Sequence, residues 1–279
     1  MLMTKERLDI LLVQRELAET REKAKRLIMA GVVFSGQQRM DKPGVKIDTS
    51  TPLQVKGKLP YVSRGGFKLE KALQVFDFHV KHKTVLDIGS STGGFTDCAL
   101  QNGADYVYAV DVGHNQLVWK LRTDSRVEVH ERTNFRYVTS ELFTNGFPSV
   151  AVTDVSFISL RLIFPVLPTL LQTESDVVVL IKPQFEAQKN QVGKKGVVKD
   201  PEVHKEVLEN IILFAMGEGF VFLGLDHSPI TGGEGNIEFI GHFGWKKSQQ
   251  ENQSLEIIPK VIHSAHQHFQ AKRRGGQNE

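Results

Sequence analysis

The 279-residue chain lacks most features that would settle its class at sight. It has a single cysteine, Cys98, which excludes an intramolecular disulfide framework and any multi-cysteine zinc site. It has no apolar run of the about 20 residues that a bilayer span requires; the stretch 162–171 is broken by Pro165 and Pro168. Its first residues, M-L-M-T-K-E-R-L-D, place Glu6 and Asp9 where a signal peptide needs an unbroken apolar core. No internal repeat is visible. With 40% apolar and 24% charged residues it is neither a disordered chain nor a membrane protein in composition. A cytoplasmic protein is expected, and at roughly 150 residues per domain the length allows one large domain plus a small one, or two of moderate size.

What charge there is lies unevenly. Residues 1–60 hold 12 Lys/Arg against 7 Asp/Glu, or +5, and the remaining 219 hold 23 against 25, or −2. A small basic module joined to a near-neutral domain suggests a polyanion-binding module, and an ordinary solvated Lys/Glu surface is the alternative. Within the module, Thr4 is placed to cap a helix whose stripe is Leu8, Leu11 and Leu12. Thr20 is placed to cap a second, ending at Ala30 with Gly31 at the C′ position. Val32-Val33-Phe34 and Leu53-Gln54-Val55 read as strands, so residues 4–58 are expected to be two helices on a small sheet. Lys58-Leu59-Pro60-Tyr61 marks the expected boundary, giving domains 1–59 and 60–245.

After a helix at 66–78, short apolar runs alternate with amphipathic stretches: 84–88, 106–110, 150–153, 177–181, 220–225 and 237–243. Unbroken runs of this length suit strands buried on both faces, and the alternation predicts a doubly wound α/β, Rossmann-like sheet. The last two runs are joined as an antiparallel pair would be. Residues 246–279, rich in Gln, Asn and His, are expected to form a mobile tail with a short helical segment near 255–262. His263, His266 and His268 in that tail are read as solvated rather than as metal ligands, and no metal is expected.

The most informative stretch is Asp87-Ile88-Gly89-Ser90-Ser91-Thr92-Gly93-Gly94-Phe95, a strand end running through a glycine turn into a helix. Its D-x-G-x-x-x-G-G spacing is not the G-x-G-x-x-G of dinucleotide folds, and no G-K-[ST] follows. An acidic residue ahead of the turn argues for a ligand carrying an ammonium group. Asp111, 24 residues on, ends the next strand, where a carboxylate accepts bonds from ribose hydroxyls. Together these point to S-adenosylmethionine, with Asp87, Gly89, Ser91, Gly93, Gly94, Phe95, Asp111 and Val112 as the expected cofactor-binding residues. A nicotinamide oxidoreductase is disfavoured by the glycine spacing.

Three more strand ends carry charge: Asp154, Lys182 and Glu238; Lys68 precedes the sheet. In a parallel sheet, carboxyl ends converge on one crevice. Here the chain resembles a known family. Residues 61–245 look like the FtsJ-type ribose methyltransferases, whose Lys–Asp–Lys–Glu tetrad falls on Lys68, Asp154, Lys182 and Glu238. Residues 4–58 resemble the small RNA-binding fold named after small-subunit ribosomal protein four. Y-V-S-R-G-G-F-K-L, D-I-G-S-S-T-G-G-F-T, T-D-V-S-F-I-S and I-K-P-Q-F-E make the combination similar to the TlyA/hemolysin A family. The resemblance implies 2′-O-methylation of ribosomal RNA, with Arg7, Arg21, Lys25, Arg26 and Arg64 contacting RNA. A ribose hydroxyl is a poor nucleophile and needs a base. Lys182 is assigned that role, Lys68 orients the hydroxyl, and Asp154 and Glu238 hold the ammonium groups. Phe157 and Phe185 are placed either to stack on a flipped base or to fill the core. The alternatives are a membrane-active cytolysin, as the hemolysin name suggests, and an RNA-binding protein with an inactive methyltransferase domain.

Overall fold

A computed structural model of the chain describes residues 4–275 apart from 30, 41, 58, 59, 233 and 249. The expected ends of the second helix at Ala30 and of the first domain at Lys58-Leu59 therefore lie outside the described residues. Two compact units are distinguished: residues up to Arg64 together with those from Lys272 onward, and Gly65–Ala271.

The first unit runs β1 (Lys5–Arg7), α1 (Leu8–Gln14), α2 (Arg21–Met29), β2 (Val33–Ser35), β3 (Gln38–Arg39), β4 (Lys46–Asp48) and β5 (Gln54–Val55). Its core is the apolar faces of the two helices, Leu8, Leu11, Leu12, Ala24, Leu27 and Ile28, closed by Val33 and Leu53. Thr20 caps α2 as expected, its Oγ1 accepting from Lys23 N at 3.1 Å. Thr4 does not cap α1. Residues 5–7 are extended and pair antiparallel with β4, α1 starts only at Leu8, and Thr4 Oγ1 lies 3.0 Å from Thr49 Oγ1. The alternation of Lys5, Glu6 and Arg7 suits an exposed strand edge better than a first helical turn.

The second unit holds α3 (Gly65–Val75), β6 (Thr84–Ile88), α4 (Gly94–Gln101), β7 (Tyr106–Val110), α5 (Trp119–Arg122), β8 (Val127–His130), β9 (Val150–Thr153), β10 (Ser175–Ile181), α6 (Pro183–Glu186), α7 (Pro201–Gly217), β11 (Phe220–His227), β12 (Phe239–Trp245) and, as far as Ala271, α8 (Ile257–Gly275). Its seven strands lie in the order β11-β12-β10-β9-β6-β7-β8. The neighbours from β8 to β10 pair in parallel, and β12 runs antiparallel to both β10 and β11. The expected doubly wound α/β sheet is thus present, with the last two runs antiparallel. Chain order reverses at β6, which has β7 on one side and β9 on the other. That places the ligand crevice of such sheets at the carboxyl ends of β6 and β9.

The expected mobile tail is a correction. Residues 257–275 form α8, and Ile258, Val261, Ile262, Ala265 and Phe269 on one face are buried in the main core. Their 3, 4, 7 spacing is that of a docked amphipathic helix. The histidines there are not simply solvated: His266 Nε2 lies 3.1 Å from buried His204 Nδ1, and His268 stacks on His227. Among the described residues no helix is long and apolar enough to cross a membrane, and no group of three or more metal-ligating side chains forms.

Candidate active site

Four separate elements deliver the four charged residues. Lys68 stands on the first turn of α3, Asp154 directly follows β9, Lys182 directly follows β10, and Glu238 directly precedes β12. They form one continuous chain of charges. Glu238 Oε2 lies 2.7 Å from Lys68 Nζ, Lys68 Nζ lies 3.0 Å from Asp154 Oδ2, and Asp154 Oδ1 lies 2.6 Å from Lys182 Nζ. Lys68, Lys182 and Glu238 are buried, and Asp154 is nearly so.

The two lysines are not equivalent. Lys68 sits between two carboxylates. Burial would lower its pKa, but Asp154 and Glu238 outweigh that and hold it above the ordinary lysine value, as a fixed ammonium. Burial likewise would raise Asp154, but Lys68 and Lys182 overrule it and hold its carboxyl at about 2. Lys182 has one carboxylate neighbour and donates to the hydroxyl oxygen of Ser156 at 3.0 Å. Ser156 was not singled out from sequence, although it lies in the T-D-V-S-F motif two residues beyond Asp154. Phe157 follows it with φ 64° and a side chain 91% exposed, so it is not a core residue. Its ring lies 5.0 Å from that of Phe185, which in turn lies 5.9 Å from Lys182 Nζ. Glu186 ties this segment to α6, accepting from Ser159 Oγ at 2.6 Å and Leu160 N at 2.8 Å.

The glycine turn lies at the same crevice. Gly89 has φ 81°, and a Cβ there would come within 3.0 Å of the Asp154 carbonyl oxygen, so the turn and the tetrad are adjacent. Gly93 has φ 97° and caps α4; its Cβ would collide with Leu117 and Leu121, so the turn closes tightly under α5. The side chain of Phe95 is buried in α4, leaving its backbone as the group it offers a ligand. Ser91 is exposed with φ 46°, and its N–H donates to Asp111 Oδ2 at 2.7 Å, while Gly113 N donates to Asp111 Oδ1 at 2.6 Å. Val112 is 74% exposed beside them.

Asp87 is fully buried beneath the turn, its Oδ2 accepting from Thr96 Oγ1 at 2.6 Å. Its Oδ1 has no hydrogen-bond partner among the described residues, and neither do Thr153 Oγ1, next to Asp154 in sequence, and Gln184 Oε1, two residues after Lys182. Buried polar atoms are normally paired, so such atoms at neighbouring strand ends fit a site built for a polar ligand. Burial, with smaller contributions from Asp154 and Asp111, pushes the Asp87 carboxyl up to about 7 against the pull of Thr96. An ammonium-bearing cofactor fits this unsatisfied carboxylate.

A further organiser is Glu131. It accepts from Asn115 N at 2.7 Å, Gln116 N at 2.9 Å, Leu117 N at 3.3 Å and Arg122 Nη2 at 2.6 Å. Burial would raise its carboxyl, but those donors hold it at about 2. It thereby fixes the loop between Val112 and α5.

Residues 61–245 match the FtsJ-like methyltransferase family and residues 6–51 the S4 domain. The chain belongs to the FtsJ-like methyltransferase family. It is 62% identical over 272 residues to "Putative rRNA methyltransferase YqxC" of Bacillus subtilis (strain 168), covering 96% of this chain and 97% of that one. It is 40% identical to "16S/23S rRNA (cytidine-2'-O)-methyltransferase TlyA" of Mycobacterium tuberculosis, covering 93% and 96%. Among solved structures it resembles "Putative hemolysin from Streptococcus thermophilus", with TM-score 0.78, 53% identity and coverage of 98% and 99%. The expected resemblance to the TlyA/hemolysin A proteins stands.

In the S4-like unit, the expected RNA-contacting residues divide. Arg7 and Arg21 both hold the buried Asp9 carboxylate, each at 2.9 Å, and keep it at about 2. Lys25 pairs with Glu22 at 2.8 Å. Arg26 is exposed and Arg64 half-buried.

Proposed function

We infer that this protein transfers a methyl group from S-adenosylmethionine to a ribose 2′-OH of ribosomal RNA. The observation that carries this is the asymmetry of the buried charges. One lysine is locked as an ammonium between two carboxylates, and the other is held by one carboxylate and a hydroxyl beside an adjacent glycine turn. The cofactor supplies an electrophilic methyl on a sulfonium. Asp87, Asp111 and the backbone of Gly89 to Phe95 would hold it, with Val112 against its apolar face.

Lys68, fixed by Asp154 and Glu238, presents its ammonium to the hydroxyl oxygen and orients it. Lys182, steered by Asp154 and Ser156 and first freed of its own proton to solvent, would take the hydroxyl proton as a neutral amine while the oxygen bonds to the methyl carbon; the carbon–sulfur bond electrons would stay on sulfur. Alignment and proton removal are what this displacement demands of the protein. Phe157, exposed beside Phe185, offers a face on which a splayed-out base stacks, and Glu186 steadies the segment that carries it. The S4-like unit supplies RNA affinity, with Arg26 presented to phosphate and Arg7 and Arg21 using their remaining N–H groups.

The test uses full-length protein, methyl-labelled S-adenosylmethionine and purified 16S and 23S rRNA or intact subunits, with the RNA digested to nucleosides and analysed by mass spectrometry. Label in a 2′-O-methylnucleoside is expected. Label on a base, or no transfer to any of these RNAs, overturns the reading.

A further inference from the structure

One concentration of exposed positive charge in the second unit lies in a short loop. Residues 189–199, K-N-Q-V-G-K-K-G-V-V-K, contain four lysines and no acidic residue. Lys189, Lys194, Lys195 and Lys199 are exposed and make no ion pair among the described residues. The contrast is with the S4-like unit, where Arg7, Arg21, Lys23 and Lys25 are all drawn into ion pairs of 2.9 Å or less.

This loop is anchored. It folds on itself, with Gly193 N donating to Val197 O at 3.2 Å and Gly196 N to Gly193 O at 2.8 Å, which leaves Lys194 and Lys195 at its tip. Asn236, buried and two residues before Glu238, holds the segment that returns from the tip. Its Nδ2 donates to Gly196 O at 2.9 Å, and its Oδ1 accepts from Val198 N at 2.9 Å. At its other end the loop follows Lys182 through α6. A rigid lysine tip is therefore tied to the segments that carry two of the four site residues. Ammonium groups without ion-pair partners, set in a basic, anchored loop, match a phosphate backbone and give affinity without sequence preference.

We propose that Lys194, Lys195 and Lys199 form a second RNA-docking surface, on the methyltransferase unit itself, which grips the phosphates flanking the target nucleotide. The proposal rests on the reading of RNA as substrate. It adds that RNA affinity does not reside in the S4-like unit alone.

Binding of full-length protein to deproteinised 23S and 16S rRNA is measured over a salt series without methyl transfer, for wild type, for Lys194→Ala/Lys195→Ala/Lys199→Ala, and for the corresponding triple Arg variant. The alanine variant is expected to bind more weakly. Its log K against log salt slope should be shallower by about 0.7–0.9 for each lysine that contacts phosphate. The arginine variant should keep the wild-type slope. An unchanged slope in the alanine variant overturns the proposal, as does an arginine variant that loses binding equally. Loss of S-adenosylmethionine affinity in step with RNA affinity also defeats it, because the loop would then act on the fold. These readouts separate the surface from the chemistry. A wild type that methylates ribose while the alanine variant keeps its slope retains the function and loses the surface. A wild type that methylates nothing while the alanine variant loses slope does the reverse.

Discussion

At the residue scale, two lysines of identical chemistry are separated by their partners. Lys182→Ala is expected to abolish turnover with cofactor and RNA affinity nearly intact, since it removes the group proposed to take the proton. Lys182→Arg should fail as well, because a guanidinium stays protonated and can orient the hydroxyl without deprotonating it. Single-turnover methyl transfer with both ligands saturating decides; an Arg variant within a few fold of wild type would make Lys182 a positioning charge. Asp87 gives a second prediction, in pH. Its carboxyl is raised from 3.8 to about 7, chiefly by burial. Between those values the folded chain keeps a proton that the unfolded chain has released. Its contribution to stability therefore falls as pH rises through that window, by up to about 1.4 kcal/mol per pH unit, and is fully lost above it. Asp87→Asn removes that dependence. Urea unfolding of ligand-free protein at pH 5 and pH 7.5 should show the variant gaining on wild type as pH rises, while its affinity for S-adenosylmethionine drops. A stability difference that stays constant between the two pH values would show that Asp87 titrates normally.

At the scale of elements, strand ends and the loops beside them set the distances. A Cβ on Gly232 would stand 2.5 Å from Glu238 Oε1, so only glycine lets that loop lie against the carboxylate. Gly232→Ala should push Glu238 off Lys68 and cost roughly 10- to 100-fold in single-turnover rate, in keeping with displacements of about 1 Å in an active site. The melting temperature should move little, because the loop is on the surface; a wild-type rate would mean that Glu238 has slack. Three members of the tetrad, Asp154, Lys182 and Glu238, were legible in sequence because each sits at or beside the end of an apolar run, whereas Lys68, in a helix ahead of the sheet, was placed by the family resemblance. Gly232 and Ser156 were not, since their roles exist only once the strands align. Strand β8 escaped for another reason: Val127-Glu128-Val129-His130 alternates and is half-exposed at the sheet edge, so it is no unbroken apolar run. Helix α8 escaped because its Gln and His content suggested a solvated tail, although its apolar residues keep helical spacing.

For the whole molecule, composition and charge asymmetry already separated a small basic module from a near-neutral α/β unit. The residues that bind the α/β unit into one body reach further along the chain than the match to the FtsJ-like methyltransferase family, which ends at 245. Ile258, Val261, Ile262, Ala265 and Phe269 lie in the same core as Ile211, Phe220 and Phe243. Fully burying one such large side chain stabilises by roughly 1.5–3 kcal/mol, so removing four of them exceeds about 6 kcal/mol, a large share of a domain's net stability. A fragment 61–245 is therefore expected to be unfolded or aggregated, and its inactivity would say nothing about RNA recognition. A fragment 61–271 keeps that core. It should fold cooperatively and bind S-adenosylmethionine with the affinity of the full chain. It should bind rRNA more weakly, with a shallower salt dependence, for want of the S4-like unit. Circular dichroism and calorimetry on both fragments, followed by salt-dependent rRNA binding on the longer one, make the comparison. If 61–245 melts as sharply and at the same temperature as 61–271, α8 is not part of the structural core. If 61–271 binds and methylates rRNA as well as the full chain, the S4-like unit is dispensable for recognition.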